Sequence, residues 1–134
     1  MSCIFCSIVQ GKMPCSLVYE DGRFLAFLDV GPVHKGHTIL IPKQHHETYL
    51  DIPDETLREL AVALKKVAGA VKKAVGADGL NLGMNLYPAS GQSVPHAHWH
   101  IMPRFLGDGL QLFPQGRYEE GEMARFQERI RQHL

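Results

Sequence analysis

Between Asp54 and Val75 the apolar residues Leu57, Leu60, Leu64, Val67, Val71 and Val75 recur three or four positions apart, which puts them on one face of an α-helix. Asp51, Pro53, Asp54 and Glu55 suit the start of this helix, Lys72 and Lys73 suit the negative end of its dipole, and Gly76 suits a left-handed stop. At about 1.5 Å per residue it runs about 33 Å, enough to cross a whole sheet. Elsewhere the apolar runs are short and punctuated by Gly and Pro. After a turn or short helix around residues 4–9, residues 17–19 read as a strand, Asp21-Gly22 as a hairpin turn, and residues 24–28 as its partner strand. A third strand, 37–41, lies between Gly36 and Pro42. A fourth (80–86) and a fifth (96–102) flank the turn-rich stretch 88–93. Met123, Phe126 and Ile130 give the segment 119–132 a helical apolar edge, weakened at its start by Gly121. Strands in a run, with one long helix between the third and fourth, predict an α+β sheet covered on one face. Without an internal repeat or linker, residues 1–134 read as a single domain.

Composition narrows the function classes. The chain has 134 residues, 45% of them hydrophobic, and its 14 Lys and Arg balance 14 Asp and Glu, so no net charge draws it to nucleic acid or an anionic membrane. Lys65, Lys66, Lys72 and Lys73 read as the solvated face of the long helix. No apolar run approaches the roughly 18 residues of a membrane span, and the start lacks the basic and apolar regions of a secretory signal, so the expected location is cytoplasmic. Three cysteines cannot all pair, which argues against a disulfide framework. Cys15 reads as a small buried residue, and Asp108, between Gly107 and Gly109, as part of a flexible loop.

Eight histidines are the anomaly. In Pro95-His96-Ala97-His98-Trp99-His100-Ile101, residues two apart share one face of a strand, so three imidazoles point one way while Ala97, Trp99 and Ile101 point the other. The preceding Gly91-Gln92-Ser93 turn can offer backbone N–H groups and a hydroxyl to an anion, an arrangement suited to phosphate. A neutral imidazole is a nucleophile near pH 7 and forms a labile bond with phosphorus. Cys3-x-x-Cys6 has the spacing at which two thiolates grip one tetrahedral ion, and metal is favoured over redox chemistry because no βαβ pattern surrounds the pair.

The alternate histidines, together with Cys3-x-x-Cys6, Phe27-Leu28-Asp29, Gly36 to Lys43, Asn85 and Gly91-Gln92-Ser93, resemble the histidine triad (HIT) superfamily in order and spacing from Cys3 to Arg104. The segment 105–134 lies outside the resemblance. It implies a five-stranded antiparallel sheet and a nucleotide hydrolase or transferase in which His98 attacks the α-phosphate, most similar to the phosphoramidase branch. The alternatives are a dinucleoside polyphosphate hydrolase and a zinc-stabilised nucleotide-binding scaffold. His100, His37, Asn85 and Ser93 are implied to hold phosphate oxygens or assist the leaving group, with Gly91 and Gln92 in the phosphate loop and Asp29 on the ribose. Phe5, Phe24 and Leu28 are expected around the base of a purine nucleotide. The resemblance also implies a structural zinc held by Cys3, Cys6, His45 and His96, with His46 the competing third ligand, and a homodimer.

Overall fold

The computed structural model describes residues 3–134. A short helix α1 (Ile4–Val9) precedes the hairpin β1 (Leu17–Glu20) and β2 (Phe24–Leu28), followed by β3 (Thr38–Pro42). The long helix α2 (Asp54–Val75) leads to β4 (Gly79–Gly83) and β5 (Trp99–Arg104), and α3 (Glu122–Arg131) closes the chain. The five strands form one antiparallel sheet in the order β1-β2-β3-β5-β4, as the α+β reading expects. Single-turn 3₁₀ segments at Tyr49–Asp51 and Pro88–Ser90 sit in the loops.

Strand alternation divides the core in two. Phe24, Ala26, Leu40 and Ile101 face α2, whose Leu60, Ala63, Val67, Ala68 and Val71 pack onto them. Burying a side chain such as Leu60 or Val67 stabilises the fold by about 1.5–3 kcal/mol. On the other face Leu25, Phe27, Ile39 and Ile41 meet Phe5 of α1. The sheet therefore has a helix-covered face and a second face on which α1 and the histidines gather. Helix α2 stops at Gly76 in the left-handed conformation, as its sequence predicts.

Gly36, in the turn before β3, is held at φ +98°, and a Cβ there would stand 2.7 Å from Val75 Cγ1. Gly36→Ala is expected to cost about 1–3 kcal/mol through backbone strain and overlap with the stiff valine. An unchanged denaturation midpoint would contradict this.

Several boundaries differ from the sequence expectation. β4 ends at Gly83, opposite His100, so Leu86 and Asn85 lie beyond the ladder. β5 begins at Trp99 because the preceding backbone bonds elsewhere: His96 N–H donates to the Val94 carbonyl and Ala97 N–H to the His46 carbonyl. Only His100 of the three alternate histidines is thus in the strand. Helix α3 starts at Glu122, after Gly121 in the left-handed conformation, and its Met123, Phe126 and Ile130 stay exposed. Cys15 is exposed rather than buried, since it lies in the irregular stretch before β1.

Candidate active site and metal centre

Although two of the three histidines precede β5, their rings remain on the α1 side of the sheet. Phe5 presents its ring to His96 and His98 with centroids 5.9 and 5.1 Å apart, and His98 lies 5.0 Å from His100. His98 is 3% exposed, and its Nδ1 stands 2.7 Å from the His96 carbonyl. A carbonyl only accepts, so Nδ1 carries the proton and donates, which leaves a lone pair on Nε2.

His37 and His100 form a second pair. The Val33 N–H donates to His37 Nδ1 at 3.0 Å, and His37 Nε2 lies 2.9 Å from His100 Nδ1. Asp29 stands beside them, Oδ2 3.6 Å from His37 Nε2, while its Oδ1 accepts from the Gly31 N–H at 2.8 Å. Burial lowers the pKa of His37 despite the neighbouring Asp29 charge. Burial, then His98 and His37, push His100 down to about 4. These rings are neutral at pH 7.

The unfolded chain binds a proton at position 100 near pH 6.5, whereas the folded chain resists until about pH 4. The stability this represents, on the order of 3 kcal/mol at about 1.36 kcal/mol per pH unit, is present above pH 6.5 and lost as pH falls through the window to 4. Melting temperature is expected to be flat above pH 7 and to fall across that interval, with a shallower fall in His100→Gln. Identical profiles for the two proteins would refute the assignment.

The loop before the histidines is built differently from its sequence reading. The N–H groups of Gly91 and Gln92 donate to the Pro88 and Tyr87 carbonyls, so neither is free for an anion. The Gln92 side chain is also spent. Its Oε1 accepts from the Tyr87 N–H and its Nε2 donates to the Glu47 carbonyl, both at 2.7 Å. Gln92 is therefore a strut, and it holds Tyr87, whose φ of 68° is the one positive value for a non-glycine among the described residues. Gly91, at φ +99°, would place a Cβ 3.3 Å from Asn85 Nδ2, so its lack of a side chain lets the Asn85 amide approach. Ser93 is exposed in the same loop, and the turn's capacity for an anion narrows to it.

Phe24 is displaced from the expected base site. It points to the α2 face and is 2% exposed, on the side of the sheet away from the histidines. Its neighbours at odd positions face the site: Phe27 lies 5.4 Å from Phe5 in an edge contact, and Ile39 joins the same cluster. The period of two along β2 and β3 would have selected Phe27 and Ile39, which the sequence reading missed. Leu28 shares the phase of Phe24 and Ala26 on β2, so it too falls on the α2 side rather than at the expected base site, exposed at the strand end next to Asp29.

Cys3, Cys6, His45 and His96 converge beside this pocket. His96 Nδ1 lies 3.5 Å from Cys3 Sγ, 3.6 Å from Cys6 Sγ and 3.2 Å from His45 Nδ1, and Cys6 Sγ lies 3.3 Å from His45 Nδ1. A tetrahedral zinc with Zn–N near 2.05 Å and Zn–S near 2.3 Å has donor-to-donor edges of roughly 3.3–3.8 Å, so this donor set fits that ion. His96 Nε2 donates to the Pro42 carbonyl at 2.8 Å, which leaves the Nδ1 lone pair free to face the thiols and to ligate an ion. Burial first, then neighbouring histidines, lower the pKa of His96 to about 4, keeping that lone pair available. Burial and the adjacent Cys3 raise the Cys6 thiol. His46 contributes no ligand atom to the group.

Asp108 is the other surprise. Its carboxylate is 7% exposed and takes a fork from Arg104, Nε at 2.7 Å and Nη2 at 2.8 Å, with His34 Nε2 at 3.2 Å. The Arg104 guanidinium holds this carboxyl far below the usual carboxylate range. The supposed flexible loop is a fastened one.

An antiparallel sheet whose strand β5 carries one of three alternate imidazoles, all three gathered on the face opposite the long helix, is the architecture of a histidine-triad protein. The HIT domain family model matches residues 10–107, and the chain belongs to that family. A crystal structure of a HIT family member from Bacillus subtilis superposes with a TM-score of 0.92 at 38% identity, covering 100% of this chain and 98% of the other. A zinc-bound histidine triad family protein from Mycobacterium smegmatis superposes at 0.78 with 37% identity, covering 96% and 98%. The adenosine 5′-monophosphoramidase of Schizosaccharomyces pombe is 40% identical over 119 residues, 85% of this chain and 86% of its own.

Proposed function

We propose that this protein hydrolyses nucleoside phosphoramidates, or transfers their nucleotidyl group, through a covalent bond to His98. The observation that carries the reading is the 2.7 Å bond from His98 Nδ1–H to the His96 carbonyl, which leaves Nε2 unprotonated and ready to attack. A bond forms between Nε2 and the α-phosphorus as the phosphorus–nitrogen bond to the leaving amine breaks, and the amine departs with a proton taken from solvent, which the attacking water returns to solvent in the next step. Water then attacks phosphorus, the bond to Nε2 breaks, and a nucleoside monophosphate leaves behind a neutral imidazole. His100, Asn85 and Ser93 hold phosphate oxygens as donors, and Asp29 accepts from the ribose hydroxyls. Phe5, Phe27 and Ile39 form an apolar wall for a purine base. The 40% identity with a monophosphoramidase supports the choice of substrate class.

Cys3, Cys6, His45 and His96 hold one zinc ion in this reading. With four protein ligands the ion is structural, tying α1 to the segment that carries His98. The chain acts as a homodimer: Met123, Phe126 and Ile130 of α3 form an apolar edge that stays exposed, which a second copy would cover. The paired thiol ligands and the lone exposed Cys15 suit the reducing cytoplasm.

The test is incubation with adenosine 5′-phosphoramidate and, separately, diadenosine tetraphosphate. Release of AMP from the phosphoramidate at the higher kcat/KM is expected, with a transient mass gain of one nucleotide on the peptide containing His98. Preference for the tetraphosphate would move the protein to the hydrolases of dinucleoside polyphosphates, and no turnover of either would remove the reading.

A further inference from the structure

We propose that His34 and Asp108 are positioning residues for the histidine site: together they seat the loop whose Val33 N–H determines which nitrogen of His37, and in turn of His100, carries the proton. This rests on the reading in which His100 faces the phosphate that His98 attacks. Neither residue touches that site.

The chain of bonds starts at Asp108. A carboxylate only accepts, so His34 Nε2 is the donor across their 3.2 Å contact. The His34 ring also meets the Phe105 ring edge-on at 5.2 Å, so the β2–β3 loop is fastened twice to the chain just after β5. The Phe105 and Leu110 N–H groups and the Arg104 fork hold the carboxylate still. From His34 the loop turns back on itself: the His37 N–H donates to the His34 carbonyl at 3.0 Å, and the Val33 N–H donates to His37 Nδ1 at 3.0 Å.

The rest is proton parity. A backbone N–H cannot accept, so His37 Nδ1 must, and a neutral His37 then carries its hydrogen on Nε2. That hydrogen points at His100 Nδ1, 2.9 Å away, which must be the acceptor. The hydrogen of His100 therefore sits on its other nitrogen, Nε2, where it can be given to a phosphate oxygen. Reverse the tautomer of His37 and every polarity inverts: the Val33 N–H faces another N–H, His100 is protonated on Nδ1, and its Nε2 meets an anion with a lone pair. Asp29 Oδ2, at 3.6 and 4.0 Å from the two rings, does not impose the choice. One amide, held by a loop anchored 71 positions along the chain from His37, makes His100 a donor.

The experiment compares the full-length protein with His34→Phe, which keeps the aromatic contact but not the donor, and His34→Gln, whose amide can still reach Asp108. Asp108→Asn is the second site, with the same readouts if His34→Phe does not fold. Imidazole ¹⁵N spectra at pH 7.5 report which ring nitrogens are protonated, and adenosine 5′-phosphoramidate supplies kcat and KM. The wild type is expected to show protonated Nε2 on both His37 and His100. In His34→Phe the tautomers mix and kcat falls about 10–100-fold, by analogy with the loss of outer-shell groups that orient metal-bound histidines, with KM within about twofold. His34→Gln restores most of both signals. A wild-type His100 protonated on Nδ1, or spectra unchanged in His34→Phe and Asp108→Asn, would overturn the proposal. Mixed tautomers in a protein whose wild type turns over no nucleotide would sustain the positioning role and reject only the phosphoramidase reading.

Discussion

Removal of the His98 imidazole is expected to lower kcat for phosphoramidate hydrolysis by roughly 10⁴-fold or more, equivalent to about 5.5 kcal/mol of barrier. The nucleophile has no substitute within the cluster. His100 Nδ1 is engaged by His37 at 2.9 Å, and His96 Nδ1 is turned toward Cys3 and Cys6. Two variants separate chemistry from folding. His98→Ala leaves the His96 carbonyl without its 2.7 Å donor and opens a cavity at a residue that is 3% exposed, so it loses stability as well as activity. His98→Asn can keep a donor near the place of Nδ1 while offering no nucleophile at the place of Nε2. It is expected to melt close to the wild type, to show no nucleotide adduct by mass, and to be as inactive as the alanine variant. Steady-state rates within tenfold of wild type for either protein would end the assignment of His98.

Loss of the thiolate ligands is the second large effect. Wild-type protein is expected to hold one zinc per chain by elemental analysis, and Cys3→Ser/Cys6→Ser to hold none. An ion bound with free metal at a hundred times its dissociation constant contributes about 2.7 kcal/mol, which for a chain of this length is a fall in melting temperature on the order of 10 °C. The effect should reach the histidines, because the His96 whose ring faces the thiols also accepts from His98 through its carbonyl. Chelator-treated wild type should melt with the double variant, and readded zinc should restore only the wild type. Retention of zinc by the double variant, or a melting temperature indifferent to chelation, would remove the metal from the account.

The two halves of this site were not equally legible in the chain. Half of the candidate metal site is legible in the spacing of Cys3 and Cys6; His45 and His96, far along the chain, were implied only by the family resemblance, and the four do converge. The phosphate loop was misread in part. Gly91-Gln92-Ser93 names residue types that bind anions, but whether an N–H is free depends on its partner, and Tyr87, Pro88 and Glu47 had already claimed those of Gly91 and Gln92. The alternation along β2 places Phe24 away from the base site, since Phe27 and Phe24 are three positions apart and must face opposite sides. Asp108 left no local trace at all. Between two glycines it reads as loop, and its burial comes from Arg104, His34 and Leu110 meeting around it.

Local periodicity and residue type determined the helix from Asp54 to Val75, the succession of five strands along the chain, the apolar and imidazole-bearing sides of the segment before Arg104, and the Cys3-x-x-Cys6 pair as half of a candidate metal site. These properties repeat along the backbone or reside in one side chain's chemistry, so they survive without knowledge of neighbours. Tertiary structure alone decided where β4 and β5 stop pairing, which amides remain for an anion, and which nitrogen of each buried ring holds its hydrogen. Each of these depends on a hydrogen-bond partner supplied from a distant part of the chain, and a lone pair or a proton is assigned only when both members of the bond are in place.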